Sequence, residues 1–299
     1  MQLDSFKNFK GYELLDTGHG FRLERWGNVI LQRPDPQIIW EPSLPVDEWA
    51  KEWATFNSAS GEEKGSWQIT RPVPEPWVIE FQNIKFLLKL SPFKHTGIFA
   101  EQAANWEWML NKLQVTSNEL QEKNKFKILN LFAYTGGATM VLAKAGCQVT
   151  HVDASKPAIT WANENHKLNN LPETSVRWIL DDAVKFVKRE IKRGAKYDGI
   201  IMDPPAFGHS PNGKTWKFNQ DLPGLLADCV ELLSPNAKFL VINGYATNSS
   251  SLAINNLLED AIKLKPDSTG VHIEFGELCL KQKNQRLIST GIFARWSSN

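Results

Sequence analysis

Two strand ends near the middle of the sequence carry residues that could bind a nucleotide-like ligand. The apolar run Leu129–Leu131 leads into a turn that contains Gly136 and Gly137. A glycine turn between a strand and a helix lets a ligand approach the backbone. Asp153 ends the next apolar run roughly 20 residues later, where a carboxylate can accept hydrogen bonds from ribose hydroxyls. A tight turn and a helix cap are the alternatives for these two features.

Two later strand ends carry further acidic residues. Asp181 and Asp182 follow the run Val176–Leu180. One carboxylate could accept a hydrogen bond from an adenine amino group, with Asp182 favoured, or both could cap the next helix. The segment Asp203–Phe207 reads Asp-Pro-Pro-Ala-Phe. Because two prolines fix φ and remove backbone donors, this loop is stiff and its carbonyls point outward. Such a loop suits a planar acceptor whose amino or ring nitrogen must be aimed at a methyl group.

The elements that must position these residues alternate between strands and helices. The predicted strands are Lys127–Ala133, Gln148–Ala154, Val176–Leu180, Tyr197–Asp203, Ala237–Ile242, Val271–Leu280 and Arg286–Trp296. The predicted helices are Phe99–Lys123, Gly137–Ala145, Ser155–Asn169, Asp182–Arg193, Leu222–Leu233 and Ser251–Lys263. Such alternation implies a parallel sheet covered on both faces. The last two strands are separated only by Lys281–Gln285, so they form an antiparallel hairpin. The predicted fold is therefore an α/β, Rossmann-like doubly wound sheet with a closing antiparallel hairpin.

The first part of the chain has a different pattern. Short strand-like runs at Phe21–Trp26, Asn28–Gln32 and Gln37–Trp40 are separated by Gly and Pro turns, and Trp77–Leu90 alternates around Asn83 as in a hairpin. We expect a small, mostly β N-terminal domain over residues 1–95 and a second domain over residues 96–299.

The motifs together resemble a bacterial family of class I S-adenosylmethionine (SAM)-dependent methyltransferases related to the large-subunit rRNA methyltransferases. That group includes cytosine-C5 and guanine-N7 enzymes. The segment Gly97–Gln102 is similar to its Gly-x-Phe-x-Asp-Gln motif, and the resemblance extends over residues 95–296. The family often places a PUA domain ahead of its small domain, and we expect none here.

This resemblance implies SAM as the cofactor and gives each motif a role. Phe99 and Gln102 would flank the methionine end of SAM, Asp153 would bind the ribose and Asp182 the adenine. The turn beneath SAM would be formed by Tyr134, Thr135 and Gly136. The remaining predicted SAM-binding residues are Asn130, Phe132, Ala154 and Asp203. The predicted catalytic residues, facing the methyl group and its acceptor, are Asp203, Pro204 and Phe207.

The methyl acceptor is constrained by the cysteines. Cytosine-C5 members of the family carry a Thr-Cys-Ser-Cys-like stretch after the fifth strand, where this chain has Ile242–Thr247 without cysteine. Cytosine C5 becomes nucleophilic only when a thiolate adds to the base, so C5 methylation needs such a cysteine. A nucleobase nitrogen in rRNA is therefore favoured. The alternatives are a small-molecule or protein acceptor, or a non-catalytic SAM-binding module.

Composition adds further expectations. The net charge is +1, which is weak for a nucleic-acid-binding protein and leaves the small-molecule alternative open. We nevertheless predict that the loop 207–218 contacts RNA, because it interleaves aromatic residues with Lys214 and Lys217. The alternative is that Trp216 and Phe218 only anchor this loop. Sparse cysteines and the lack of a long apolar run predict a cytoplasmic protein with no membrane partner and no metal.

Overall fold

The computed structural model describes residues 1–58, 64–113, 126–209, 215–264 and 272–298, without the side chain of His209. By packing, the chain divides into two compact units. The larger unit consists of Met1–Ser5, Ala104–Cys279 and Ser289–Asn299. The N-terminal unit consists of Phe6–Ala103 and Leu280–Ile288. The division into domains at residue 95 stays a prediction.

The elements are numbered along the chain. The strands are β1 (Gln2–Asp4), β2 (Tyr12–Gly18), β3 (Phe21–Trp26), β4 (Val29–Pro34), β5 (Ala54–Asn57), β6 (Ser66–Ile69), β7 (Trp77–Phe81), β8 (Ile84–Leu88), β9 (Lys127–Leu131), β10 (Gln148–Asp153), β11 (Val176–Leu180), β12 (Gly199–Met202), β13 (Phe207–His209), β14 (Thr215–Lys217), β15 (Phe239–Gly244), β16 (His272–Lys281) and β17 (Leu287–Ser297). The helices are α1 (Val46–Trp49), α2 (Ala103–Lys112), α3 (Gly137–Lys144), α4 (Lys156–Leu168), α5 (Ala183–Lys192), α6 (Phe218–Glu231) and α7 (Ser251–Lys263). Short 3₁₀ turns lie at Ala100–Gln102 and Glu173–Ser175.

An eight-stranded sheet forms the centre of the larger unit. Its strand order is β1-β16-β17-β15-β12-β9-β10-β11. The neighbours from β15 to β11 are all parallel, whereas β17 runs antiparallel to β15. The predicted doubly wound α/β sheet is therefore confirmed, and the two strands of the predicted closing hairpin, β16 and β17, are neighbours in it.

Sequence signals explain where the helices of this unit begin. The Ser155 hydroxyl accepts the Ala158 N–H and caps α4, and the Ser250 hydroxyl caps α7 in the same way. On one side of the sheet α5, α6 and α7 bury apolar residues such as Phe186 and Leu226 with the strands. No helix of the described residues is long and apolar enough to cross a membrane.

Several predicted elements differ from the structure. Gln37–Trp40 is not a strand. Pro34 ends β4, Pro36 follows it, and the Ile38 N–H turns back to the Asp35 carbonyl. The helix predicted to start at Leu222 begins at Phe218, with Pro223 inside its second turn. The helix predicted over Phe99–Lys123 begins with the 3₁₀ turn, and residues 114–125 lie outside the described part of the chain.

The N-terminal unit is mostly β, as predicted. Strands β2 to β6 form one sheet in sequence order, and β7 and β8 form a separate hairpin. Gln82 and Asn83 join that hairpin with φ angles of 46° and 66°, which a tight two-residue turn of this hand requires. The Glu24 carboxylate is buried here and accepts hydrogen bonds from Arg33 Nε at 2.6 Å and the Tyr12 hydroxyl at 2.8 Å. Burial alone would raise the pKa of Glu24, but Arg33, Arg22 and the Tyr12 hydrogen bond together outweigh it and hold that pKa below its usual value.

Strand β1 lies at the edge of the large sheet, where its Asp4 pairs with a buried arginine. It lies parallel to β16, with Leu3 opposite Glu277. Asp4 Oδ2 lies 2.7 Å from Arg295 Nη1 of β17, and the Arg295 side chain is only 1% exposed. Burial lowers the pKa of Arg295, and Asp4 opposes that shift. A buried guanidinium needs such a partner, so this pair holds the first residues of the chain on the sheet.

We expect Asp4→Ala to lower the free energy of unfolding by about 1–3 kcal/mol, below the range for a fully buried pair, because the Asp4 side chain is 31% exposed. Urea unfolding followed by circular dichroism measures this change. The control is Asp260→Ala on the exposed side of α7, which should change stability by less than about 0.5 kcal/mol. Equal effects of the two substitutions would show that the ion pair contributes nothing.

Candidate functional site

The order of the sheet reverses at β9. The chain runs from β9 outward to β10 and β11, and then returns to β12 on the other side of β9. The register places Leu131 between Val152 and Met202, so the carboxyl ends of these strands are level. Ligands of open α/β sheets bind outside the carboxyl ends of the strands at such a switch point. The candidate site is therefore this edge.

The turn after β9 has an unusual backbone that a neighbouring carboxylate holds. Phe132, Tyr134 and Gly136 have φ angles of 56°, 49° and 82°, in the left-handed region. Asp153 Oδ2 accepts the Tyr134 N–H at 2.8 Å, and its Oδ1 accepts the Ser155 N–H at 2.8 Å. Burial raises the pKa of Asp153, and these two backbone donors oppose that shift. Asp153 thus links the end of β10 to the predicted SAM turn.

A buried polar chain supports the same turn from below. Asn130 Nδ2 donates to the Thr139 hydroxyl at 3.0 Å, and that hydroxyl lies 2.9 Å from His151 Nδ1. Burial lowers the pKa of His151 to about 3, so the imidazole is neutral at physiological pH. Asn130 was predicted to bind SAM, but it is only 3% exposed and its amide nitrogen donates to Thr139. Sequence reasoning missed His151, although its place two residues before Asp153 on β10 could have indicated it.

Close packing and a side-chain amide complete the turn. A Cβ atom at Gly137 would lie 2.7 Å from the Trp106 ring, so α3 can begin there only with glycine. The carbonyl of Thr135 accepts Asn165 Nδ2 of α4 at 3.0 Å. The backbone from β9 into α3 is thus fixed by α2, α4 and β10 together.

The two acids after β11 have separate contacts. The Asp182 Oδ1 atom accepts the Lys185 N–H at 3.0 Å and caps α5, although Asp182 was the acid favoured for adenine. Asp181 pairs with Arg189 and accepts the Asp182 N–H at 2.8 Å. A carboxylate that caps through one oxygen keeps its second oxygen as an acceptor. The adenine role of Asp182 therefore stays a prediction that this cap does not contradict.

The Asp-Pro-Pro segment follows β12 and continues into a two-stranded ribbon. Phe207 lies opposite Lys217, and Gly208 lies opposite Trp216, across the antiparallel strands β13 and β14. The Phe207 side chain is 55% exposed. Trp216 is buried, and its indole N–H donates to the Pro205 carbonyl at 2.7 Å.

Other predicted residues lie in different surroundings. Ala154 is exposed after β10, and Asp203 is half-buried next to the buried Pro204. Phe99 and Gln102 belong to the N-terminal unit, where the Phe99 ring contacts His95. Their place beside SAM stays a prediction. Residues 210–214 of the predicted RNA-contacting loop, with Lys214, lie outside the described part of the chain. The described residues contain no group of three His, Cys, Asp or Glu side chains that could hold a metal ion.

Comparisons with known proteins agree with this architecture. The crystal structure of a SAM-dependent methyltransferase from Agrobacterium tumefaciens is 35% identical, with a TM-score of 0.90 over 100% of this chain and 94% of that chain. A Streptococcus mutans protein named as a SAM-dependent methyltransferase shares the fold at 16% identity, with a TM-score of 0.69, and the match covers 97% of this chain and 76% of that one.

Curated relatives are named as ribosomal RNA enzymes. "Ribosomal RNA large subunit methyltransferase K/L" of Shewanella frigidimarina is 33% identical over 56% of this chain and 22% of its own length. "Ribosomal RNA large subunit methyltransferase I" of Aeromonas salmonicida is 33% identical over 70% of this chain and 49% of its own length. The chain thus spans at most half of these two relatives. The sequence model of the S-adenosylmethionine-dependent methyltransferases matches residues 58–273, and the chain belongs to that family.

Proposed function

We propose that this chain transfers the methyl group of SAM to a nucleobase nitrogen in ribosomal RNA. The observation that carries the proposal is the Asp203–Phe207 segment, which leaves the sheet at its switch point and presents an exposed aromatic ring. The names of the relatives in Shewanella and Aeromonas support large-subunit rRNA as the acceptor. SAM supplies an electrophilic methyl group, so the protein has to orient the acceptor and give its proton a route.

The residues at the sheet edge fit SAM. Each oxygen of Asp153 accepts one backbone N–H and keeps a second acceptor position, which suits the two ribose hydroxyls. Leu180 ends β11 beside Asp153 and is 53% exposed, an apolar surface that an adenine ring would cover. Asp182, capping α5 through Oδ1, would accept from the adenine amino group with Oδ2. In this arrangement Asp203 and the Pro204 carbonyl would face the acceptor nitrogen and accept its hydrogens.

The burial of the three cysteines favours a nitrogen acceptor over cytosine C5. Cys147, Cys229 and Cys279 are each at most 1% exposed. Burial raises the pKa of Cys147 to about 12 and that of Cys279 to about 11, and it raises the pKa of Cys229 further. A C5 mechanism needs an accessible thiolate, and these thiols are buried and protonated at neutral pH.

Deletion of the gene should remove one methylated nucleoside from large-subunit rRNA, measured by mass spectrometry of digested RNA. A plasmid copy should restore the modification, and an Asp203→Ala copy should not. A Cys229→Ser copy should restore it, because a buried thiol takes no part in transfer to nitrogen. Unchanged rRNA, together with a methylated protein or metabolite that disappears, would contradict the rRNA proposal. Loss of 5-methylcytosine would contradict the nitrogen acceptor.

Asp153→Ala should weaken SAM binding by about 1–3 kcal/mol, because it removes the ribose acceptor and the support of the Tyr134 N–H. Asp153→Asn should be almost as damaging, since an amide nitrogen would face one of the two backbone donors. Titration calorimetry with SAM measures both, with Asp260→Ala as the control. Full SAM affinity in a folded Asp153→Ala protein would exclude Asp153 from the cofactor site.

The outer face of the ribbon should recognise the acceptor. Residues directly opposite in an antiparallel pair share one face, so Phe207 and Lys217 lie side by side. An aromatic ring beside a cation suits an unstacked base and its phosphate. Phe207→Ala should reduce kcat/KM for rRNA about tenfold to hundredfold, the size of a lost stacking contact, with unchanged SAM affinity.

Lys217→Ala should cost less, and its effect should shrink as salt is raised, because phosphate contacts are screened. Methylation of rRNA from the deletion strain with labelled SAM measures both variants. The matched controls are Phe93→Ala, at a ring that is 39% exposed in the N-terminal unit, and Lys188→Ala on α5. A salt-independent loss in Lys217→Ala would argue against a polyanionic acceptor.

A further inference from the structure

Trp216 is buried beneath the segment that would orient the acceptor. It lies on β14 opposite Gly208, and its side chain is 9% exposed. Cross-strand neighbours on the other face of the ribbon, Phe207 and Lys217, are exposed. The ribbon therefore has one face toward solvent and one face toward the protein. A ring can stack on a base only if it is accessible, and the Trp216 ring lies on the face that is turned toward the protein.

The indole N–H of Trp216 has a specific acceptor. It donates to the Pro205 carbonyl at 2.7 Å. The proline rings already fix φ at Pro204 and Pro205, so the direction of each carbonyl depends on the remaining rotation, ψ. A hydrogen bond to the Pro205 carbonyl removes that rotation at Pro205. The bond therefore completes a constraint that the two prolines begin.

Two backbone hydrogen bonds hold the ends of the same segment. The Phe218 N–H donates to the Ala206 carbonyl at 3.1 Å, and the Asp203 N–H donates to the Leu131 carbonyl at 3.4 Å. Between them, the Trp216 side chain holds the Pro205 carbonyl. This side-chain contact can be removed by substitution without deleting the segment itself.

The Trp216 ring also contacts the cofactor turn. Its centroid lies 5.3 Å from that of Phe132, with the ring planes tilted by 54°. Phe132 is the first left-handed residue after β9. One side chain therefore contacts both the segment after β12 and the turn after β9, the two sides of the switch point.

We propose that Trp216 is a positioning residue that fixes the Asp-Pro-Pro segment relative to the turn at Phe132, and so sets the alignment of the acceptor with the methyl group. This inference rests on the proposed methyl transfer. A displaced acceptor loses rate in the transfer step, because the reacting atoms must be aligned within a fraction of an ångström. Binding of SAM uses other contacts and should be preserved.

The test substitution is Trp216→Phe, which keeps an aromatic ring against Phe132 and removes the N–H donor. The control is Trp178→Phe on β11, which makes the same chemical change in the same unit beside His151. Hydrogen exchange followed by NMR reports the amides of Gly208 and Phe218, which face the partner strand. Calorimetry gives the Kd for SAM, and labelled SAM with deletion-strain rRNA gives kcat and KM.

Trp216→Phe should exchange the Gly208 and Phe218 amides at least about tenfold faster, because local opening becomes easier. Its kcat should fall about tenfold to hundredfold, with KM for rRNA and Kd for SAM within about twofold. Trp178→Phe should leave exchange at these amides unchanged.

Unchanged exchange and unchanged kcat in Trp216→Phe would overturn the proposal. A loss of SAM affinity in parallel with a lower Tm would also overturn it, because it would show a general packing role. If the unaltered protein methylates no rRNA, the proposed function has failed. The exchange measurement then still decides whether the indole holds the Asp-Pro-Pro segment.

Discussion

The hydrogen bond from the Tyr134 N–H to Asp153 is the contact on which the rest of the site depends. Two of the three left-handed residues after β9, Phe132 and Tyr134, are not glycine, and such residues cost about 1–2 kcal/mol each. The carboxylate at the end of β10 offsets part of this cost and fixes the turn at the switch point. Because the same carboxylate accepts the Ser155 N–H, it also sets where α4 begins. One side chain thus couples two strand ends and a helix start.

The charges around this edge suit a cofactor with a positively charged sulfur. Four acids lie at or directly after the carboxyl ends of β10, β11 and β12: Asp153, Asp181, Asp182 and Asp203. Asp181 among them pairs with Arg189. His151 is buried beside Thr139 of α3, and its low pKa keeps it uncharged. A protonated imidazole at this place would repel a sulfonium. Burial of His151 thus keeps a positive charge away from the edge where we propose that SAM binds.

The long periodic segments of the larger unit were predictable from the sequence, because alternation of apolar strands and amphipathic helices determines a parallel sheet. The acidic residues at the strand ends could be identified as well, because the end of each predicted strand marks the edge at which ligands of such sheets bind. Strands β1, β13 and β14 have three residues each, too few to show a period, and their pairing depends on distant partners. The hydrogen bond from Trp216 to Pro205 could not be predicted from the sequence either. An aromatic residue in a Gly- and Pro-rich loop is compatible with both an exposed and a buried position.

The tip of the closing hairpin limits how this chain can be truncated or recombined. Leu280–Ile288 packs with the N-terminal unit, where Gln282 Nε2 donates to Asp16 at 2.9 Å and its Oε1 accepts the Thr17 hydroxyl at 2.6 Å. The polypeptide therefore crosses between the units four times, after Ser5, Ala103, Cys279 and Ile288. No single truncation yields either unit with all its segments, so recombination at one breakpoint cannot exchange one unit and keep the other intact.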